Sequence, residues 1–362
     1  MNFQILALPG DGIGPEVVAE GIKVLNTIGA QFSHDFTFHY DDVGGIAIDR
    51  YGIPLRAETL ATARQCDGIL FGAVGGPKWD DPNAHTRPED GLLALRKELG
   101  LFANLRPIKV LSCLADSSVL KPEVLLGVDM VVIRELTGGL YFGKPKKRQM
   151  TTRGWTGVDT LRYSQREIER VLRVGFELAA GRKKRLTSVD KANVLETSRL
   201  WRHIANELSA EYPDVELEHM LVDACAMKLI QRPSYFDTIV TENTFGDILT
   251  DEAAVLAASM GLLPSASLAQ VPVSGKRSFG FYEPIHGSAP DIAGAGIANP
   301  IAAILSTALM LRYSLGLNGE AEKIENAVDR TLKAGYRTRD IITTETIELS
   351  TAEMGDKIIQ NI

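Results

Sequence analysis

The sequence predicts an α/β protein of two domains. At 362 residues the chain is long for one core and suits two. Short apolar runs alternate with amphipathic stretches along it, the pattern of strands and helices in turn. A glycine-rich segment separates the first apolar run from the first amphipathic one, where a strand would hand over to a helix. No internal repeat, low-complexity tract or flexible linker interrupts the pattern.

Residues 3–8 (FQILAL) read as a buried first strand. Gly14-Pro15-Glu16 then opens a helix to about residue 28, with Pro near the first helical position and an acid in the first turn. Further strands are predicted at 68–73, 130–134, 186–190 and 238–241, and helices at 165–180, 197–211, 247–260, 300–313 and 320–334. The stretch 137–163, rich in Gly, Thr, aromatics and charge, suits a β-hairpin or arm; a solvated loop is the alternative.

Composition excludes several functions. Hydrophobic and charged fractions of 45% and 23% are ordinary for a soluble protein, and the net charge of −7 offers no broad basic surface to nucleic acid or acidic membranes. An anionic substrate therefore needs a local group of Arg and Lys. Cys66, Cys113 and Cys225 are odd in number and widely spaced, which argues against a disulfide framework or zinc site and for a reducing compartment. The N-terminus lacks a basic lead and a small-residue cleavage site, and no apolar run approaches a membrane span, so a cytoplasmic protein is expected.

LPGDGIGPEV (8–17) fits neither GxGxxG, since Pro15 stands where the third glycine would be, nor a P-loop. Read alone, it is a tight structural turn before it is a cofactor site, and a conventional Rossmann fold is not expected. In ENTFGDILTDEAA, Asp247 and Asp251 are four apart on a predicted helix, so their carboxylates share a face. Oxygen-only ligands of this kind suit Mg²⁺ or Mn²⁺; a solvated acidic helix start is the rival. Asp223, in the apolar run LVDACAM, needs a reason to be buried and is a candidate third ligand. Arg96, Arg106 and Arg134 are candidates for bidentate grips on carboxylates, against an exposed helical charge for Arg96 and a structural ion pair for Arg134. Lys191 and Asn193 fall on one face if extended, and Lys191 is a candidate base. Tyr141 lies where a phenol could deliver a proton.

These segments occur in one order: LPGDGIGPEV, GAVGGPKWD, GLLALRKELGLFANLRP, RELTGGLYFG, SVDKANVLETSRLWR, FGDILTDEAA, GLLPSASL and EPIHGSAPDIAGAGIANP. Spanning nearly the whole chain, they resemble the isocitrate/isopropylmalate family of β-decarboxylating dehydrogenases. The resemblance implies a two-domain α/β fold with a mixed sheet. One domain would join 1–101 with 258–362; the other, 102–257, would carry the arm (about 137–163) to the contact of a homodimer. Its active site would be shared between subunits.

The resemblance also implies roles. Arg96, Arg106 and Arg134 would clamp substrate carboxylates. Asp247 and Asp251 would hold Mg²⁺ or Mn²⁺ with Asp223 from the other subunit, where Asp223 also borders the substrate. Lys191, likewise from the other subunit, and Tyr141 would move protons, and Asn193 would neighbour the nicotinamide. Glu283, His286, Gly287, Ser288, Ala289, Asp291, Ile292 and Asn299 match the family's adenosine site. The Asp291 charge would favour NAD over NADP, whose users typically carry Lys and Tyr at 291 and 292. Leu92 and Leu93, on the helix of Arg96, would form an apolar wall for an isopropyl group, and Glu89 would repel a third carboxylate. The expected activity is oxidative decarboxylation of (2R,3S)-3-isopropylmalate to 4-methyl-2-oxopentanoate and CO₂ with NAD⁺, in leucine biosynthesis. A related 3-substituted malate, homoisocitrate, tartrate or malate are rival substrates, and a non-catalytic regulatory subunit or a plain dicarboxylate-binding protein are the rival classes. The segment SLAQVPVSGKRSFGFYEP is longer than the compact loop expected before the adenosine motif.

Overall fold

The computed structural model describes residues 1–79, 81, 84–273 and 276–362. Twelve of its strands concern the site and its surroundings: β1 (Asn2–Gly10), β2 (Asp35–Tyr40), β3 (Gly68–Ala73), β4 (Ala103–Lys109), β5 (Asp129–Glu135) and β6 (Lys147–Thr151). The others are β7 (Gly154–Val158), β8 (Arg185–Asp190), β9 (Glu216–Leu221), β10 (Thr238–Thr241), β11 (Pro264–Leu268) and β12 (Gly280–Pro284). All but β6 and β7 join one mixed sheet in the order β2-β1-β3-β12-β11-β4-β5-β10-β8-β9. Both flanks are parallel, and the antiparallel pairs β12/β11, β11/β4 and β4/β5 lie in the middle. A conventional Rossmann sheet lacks that centre, so the fold expected from the sequence is the one found.

The period-two alternation of strand side chains sorts the core into two layers. Phe3, Ile5, Leu105, Val131, Ile133, Leu186 and Val240 pack against the helices Gly14–Phe32, Gln165–Ala180, Glu196–Ser209 and Ile301–Met310. Ile108, Met130, Val132, Val189 and Ile239 pack against Val222–Gln231 and Asn243–Ala254 on the opposite face. That second face carries the candidate site. No described helix is long and apolar enough to cross a membrane.

Local chemistry sets the elements around the site. Pro88 opens the helix Pro88–Glu98, and the Asp90 carboxylate accepts the Arg87 N–H at 2.8 Å. The Glu242 carboxylate caps Asn243–Ala254 by accepting the Phe245 N–H at 2.7 Å. This helix begins four residues before the predicted 247–260, which places Asp247 in its second turn. The hairpin expected within 137–163 is β6/β7; the same stretch also holds a short 3₁₀ turn, Gly139–Tyr141, that belongs to the site.

Candidate active site

Cross-strand register brings two arginines together. Asn104 on β4 pairs with Arg134 on β5, and Arg106 with Val132, so Arg106 and Arg134 share one face of adjacent strands. Arg96 comes from the helix Pro88–Glu98. Each arginine has its own carboxylate. Arg96 donates to Glu283 at 2.8 Å and Arg106 to Asp251 at 3.2 Å, while Arg134 donates to Asp247. Arg106 also donates to Asn104 at 3.0 Å and Thr250 at 2.8 Å.

The three guanidinium groups lie close enough to act on one another. Burial lowers Arg134 to about 10; Asp247 opposes this, and the positive charges of Arg106 and Arg96 push further down. Burial likewise lowers Arg106, with Asp251 opposing and Arg96 adding to the fall. The approach of Arg106 to Arg134, which sequence spacing cannot reveal, is thus a property of the sheet, and Arg96 joins them from a helix.

Tyr141 stands at the end of the 3₁₀ turn, and its hydroxyl donates to Asp247 at 2.8 Å. Burial and this charged acceptor raise its pKa above the ordinary phenol value. The Arg134 guanidinium lies 5.8 Å from the Tyr141 ring centre. One helical turn of Asn243–Ala254 therefore presents two carboxylates that face a phenol and two arginines.

Lys191 and Asp223 lie in a separate pair: the ammonium donates to the carboxylate at 2.5 Å. Lys191 lowers the Asp223 pKa. The expected burial of Asp223 is corrected, since its side chain is 64% exposed. LVDACAM enters the amphipathic helix Val222–Gln231, whose first turn holds Asp223 on an outer face while Cys225 and Leu229 point inward. An extended 191–193 is corrected too. The N–H groups of Val194 and Leu195 close back on the Lys191 carbonyl, so Lys191 starts a turn and Asn193 is exposed. Among the described residues, no three His, Cys, Asp or Glu side chains of one chain gather as a metal cage.

The adenosine-like motif follows β12. Glu283 is buried within that strand, facing Arg96. His286 Nδ1 lies 2.9 Å from the Gly287 carbonyl, which can only accept, so Nδ1 carries the proton and neutral Nε2 is an acceptor. Nε2 is buried without a partner among the described residues, and a Cβ at Gly287 would meet nothing within 4 Å. Ala289 takes a positive φ of 38°. Asp291 is exposed, Ile292 packs on Ile13 and Val17, and Asn299 donates to Asp340 at 3.1 Å.

The glycine-rich turn read as structural is a turn that also touches this loop. Gly12 has φ +58°, and a Cβ there would sit 1.9 Å from the Ser288 carbonyl oxygen. Asp11, absent from the sequence-based candidates, accepts the N–H groups of Gly45, Ile46 and Gly75 at 2.7, 2.8 and 2.9 Å. Its place between two glycines of a tight turn was the available signal. Asn243 was also missed; only its position just after a strand end pointed to it.

On the helix Pro88–Glu98, Leu92, Leu93 and Arg96 fall on adjoining positions of one face. Leu92 packs on the core, Leu93 is 39% exposed, and Glu89 is exposed in the first turn beside Gly75.

Residues 4–358 match the family model described as isocitrate/isopropylmalate dehydrogenase. The chain is 59% identical over 363 residues to a 3-isopropylmalate dehydrogenase of Dehalococcoides mccartyi, with all of both chains covered. It is 54% identical over 371 residues to the one of Bacillus subtilis, again covering all of both. The crystal structure of isocitrate dehydrogenase from Methylococcus capsulatus superposes with a TM-score of 0.85 at 32% identity, covering 99% of each chain. Mixed sheet, paired arginines and carboxylates, and matches over almost the entire length agree: the chain belongs to the isocitrate/isopropylmalate dehydrogenase family of decarboxylating oxidoreductases.

Proposed function

We propose that the chain oxidises and decarboxylates (2R,3S)-3-isopropylmalate to 4-methyl-2-oxopentanoate with NAD⁺ and Mg²⁺ or Mn²⁺, as a cytoplasmic step of leucine biosynthesis. The observation that carries this reading is one helix face bearing Leu92 and Leu93 beside Arg96, with Arg106 and Arg134 nearby. An isopropyl group on such a leucine wall gains about 0.8 kcal/mol per buried CH₂. A third carboxylate there would lack a partner and meet Glu89.

The residues present fit both absent groups. Asp247 and Asp251 offer oxygen donors of the kind a hard divalent cation takes. The unpartnered His286 Nε2, the open space at Gly287 and the exposed Asp291 carboxylate fit an adenosine with two free ribose hydroxyls. Glu283, Ser288, Ala289, Ile292 and Asn299 complete that wall. When bound, the cation supplies positive charge beside the substrate oxygens and the nicotinamide takes up a hydride.

The chain's own groups do the rest. The arginines hold two carboxylates and orient C2 and C3. Lys191 of the partner subunit takes the C2 hydroxyl proton, next to Asp223 and Asn193 of the partner subunit. Tyr141, whose environment keeps its phenol protonated, gives a proton to C3 once CO₂ has left. Segments 1–101 with 258–362, and 102–257, act as two bodies that close over the substrate and exclude water.

The homodimer rests on an unpartnered surface. Met227, Ile230, Ile248 and Val255 are all roughly half exposed or more, on or next to the helices Val222–Gln231 and Asn243–Ala254, which pack on each other. A second copy seated there would bring its Lys191 and Asp223 toward Asp247 and Asp251. The arm β6/β7, with Met150 and Trp155 exposed, extends the same contact.

The test is NADH formation by purified protein with Mg²⁺, comparing 3-isopropylmalate with isocitrate, homoisocitrate, malate and tartrate. Strong preference for 3-isopropylmalate is expected. Preference for another acid would remove the leucine-wall argument, and no turnover with any would remove the enzyme reading.

A further inference from the structure

We propose that Asn243 is a positioning residue that fixes the offset between the Tyr141 phenol and the Arg134 guanidinium, so that one side chain sets both the proton donor and the anion grip. The proposal deepens the functional reading above and rests on it for the roles of those two groups.

Asn243 is 1% exposed, and its side-chain oxygen, side-chain nitrogen and backbone N–H are all bonded. Its Oδ1 accepts from Arg134 Nε at 3.1 Å and Nη2 at 2.9 Å. Its Nδ2 donates to the Gly138 carbonyl at 3.1 Å, and its backbone N–H donates to the Tyr163 hydroxyl at 3.0 Å. The amide orientation is forced: reversed, NH₂ would face guanidinium N–H groups and the oxygen would face a carbonyl. Gly138 immediately precedes the turn Gly139–Tyr141, so the amide nitrogen holds the base of the turn that presents the phenol.

The surroundings leave little freedom at either end. The turn lies flat on Tyr163: a Cβ at Gly138 would come within 2.5 Å of that ring, and one at Gly139, at φ +74°, within 2.6 Å of its hydroxyl. The Glu135 carboxylate accepts the Thr137 and Gly138 N–H groups at 3.0 and 2.7 Å. On the other side, Gly246 lets Arg134 lie against the helix, where a Cβ would be 2.7 Å from the arginine Cγ. Asp247 joins Arg134 to the phenol at the end of the turn, and Asn243 joins Arg134 to the backbone at its base.

Its chemistry separates the two connections. Asn243→Asp keeps an acceptor for Arg134 but replaces the donor to Gly138 with a second oxygen, which repels the carbonyl. Asn243→Leu has a similar shape and loses both. Neither substitution removes Arg134, Asp247 or Glu242, the charged groups around the phenol.

Two readouts test the proposal, on variants whose melting and circular dichroism match the parent. In steady-state kinetics with 3-isopropylmalate, Asn243→Asp is expected to keep KM within about threefold while kcat falls about a hundredfold, the size typical of a misplaced reacting group. Decarboxylation of the isolated 3-carboxy-2-oxo acid should fall in step. An unchanged kcat, or KM and kcat affected alike, overturns the proposal. The second readout needs no turnover: crystal structures of the parent and of Asn243→Leu. In the variant the turn Gly139–Tyr141 should lift from its seat and the phenol should part from Asp247; a phenol that keeps its hydrogen bond to Asp247 overturns the proposal. If the parent turns over none of the acids tested, the functional reading fails and these structures alone decide the role of Asn243.

Discussion

The guanidinium of Arg106 donates to the carboxylate of Asp251 at 3.2 Å, so a group suited to holding an anion already grips one suited to holding a cation. Arg134 and Asp247 repeat the relationship. Without a cation the site neutralises itself, and a dicarboxylate must displace these acids to enter. Asp251→Asn should therefore bind a non-reacting dicarboxylate about two- to fivefold more tightly in EDTA, the scale of a solvent-accessible ion pair. Turnover supported by Mg²⁺ should fall in the same variant. Calorimetry showing unchanged or weaker metal-free binding would refute this competition.

Tyr141→Phe keeps the ring over Arg134 and removes only the hydroxyl that meets Asp247. The loss should concentrate in the step that protonates C3, about 10²- to 10⁴-fold for a missing general acid. Hydride transfer should suffer less. Equal losses in oxidation of 3-isopropylmalate and decarboxylation of the isolated oxo acid would take the proton-donor role away from Tyr141.

Lys191 and Asp223 stand apart from Asp247 and Asp251 within one chain, which makes sharing between copies directly measurable. Lys191→Met and Asp247→Asn should each be nearly inactive. Mixed and allowed to exchange, the two variants form hybrid dimers in which one site has every native group. About a quarter of parental activity should return, since half of randomly paired dimers carry one such site. Absence of recovery, with exchange verified by mass, would place each site within a single chain. Ile248→Lys, on the exposed apolar face, should give monomers in sedimentation and lose activity with them.

Burial holds the His286 pKa below its ordinary 6.5, against opposing contributions from the Gly287 carbonyl, Asp340 and Glu283. The folded chain thus resists protonation that the unfolded chain accepts near 6.5. The neutral ring's share of stability is complete above that pH and declines as pH falls through 6.5 toward the lowered value. His286→Gln, which never charges, should show a melting temperature that depends less on pH in this window, and NAD⁺ affinity of the parent should weaken there. Parallel curves for parent and variant would exclude His286 as the source.

Much of this was legible in the sequence, for physical reasons that differ by element. β3 and β10 are buried along their whole length and stood out as apolar runs. β11 and β12 are equally buried but read PSASL and GFYEP; Ser265 and Ser267 are accommodated by bonds from Asn104 at 2.7 and 3.1 Å, which no local pattern announces. β4 was hidden by its Arg and Pro. At the site, helical spacing put Asp247 and Asp251 on one face. The approach of Arg106 to Arg134 depended on a β4/β5 register, a long-range property. The polar ring around Asn243 depends on three segments and could only be seen assembled.

The alternation of β4 has one further consequence. Arg106 points to the face of the carboxylates, whereas Leu105, Pro107 and Lys109 line a groove of about 1040 Å³ on the reverse face, walled by Leu178 on one side and Leu305 and Leu309 on the other. The sheet is thus the common wall between that groove and the face of the arginines and carboxylates. Bulk added at Leu305 would fill that rear groove while lying across the sheet from Arg106 and touching none of the groups on its face.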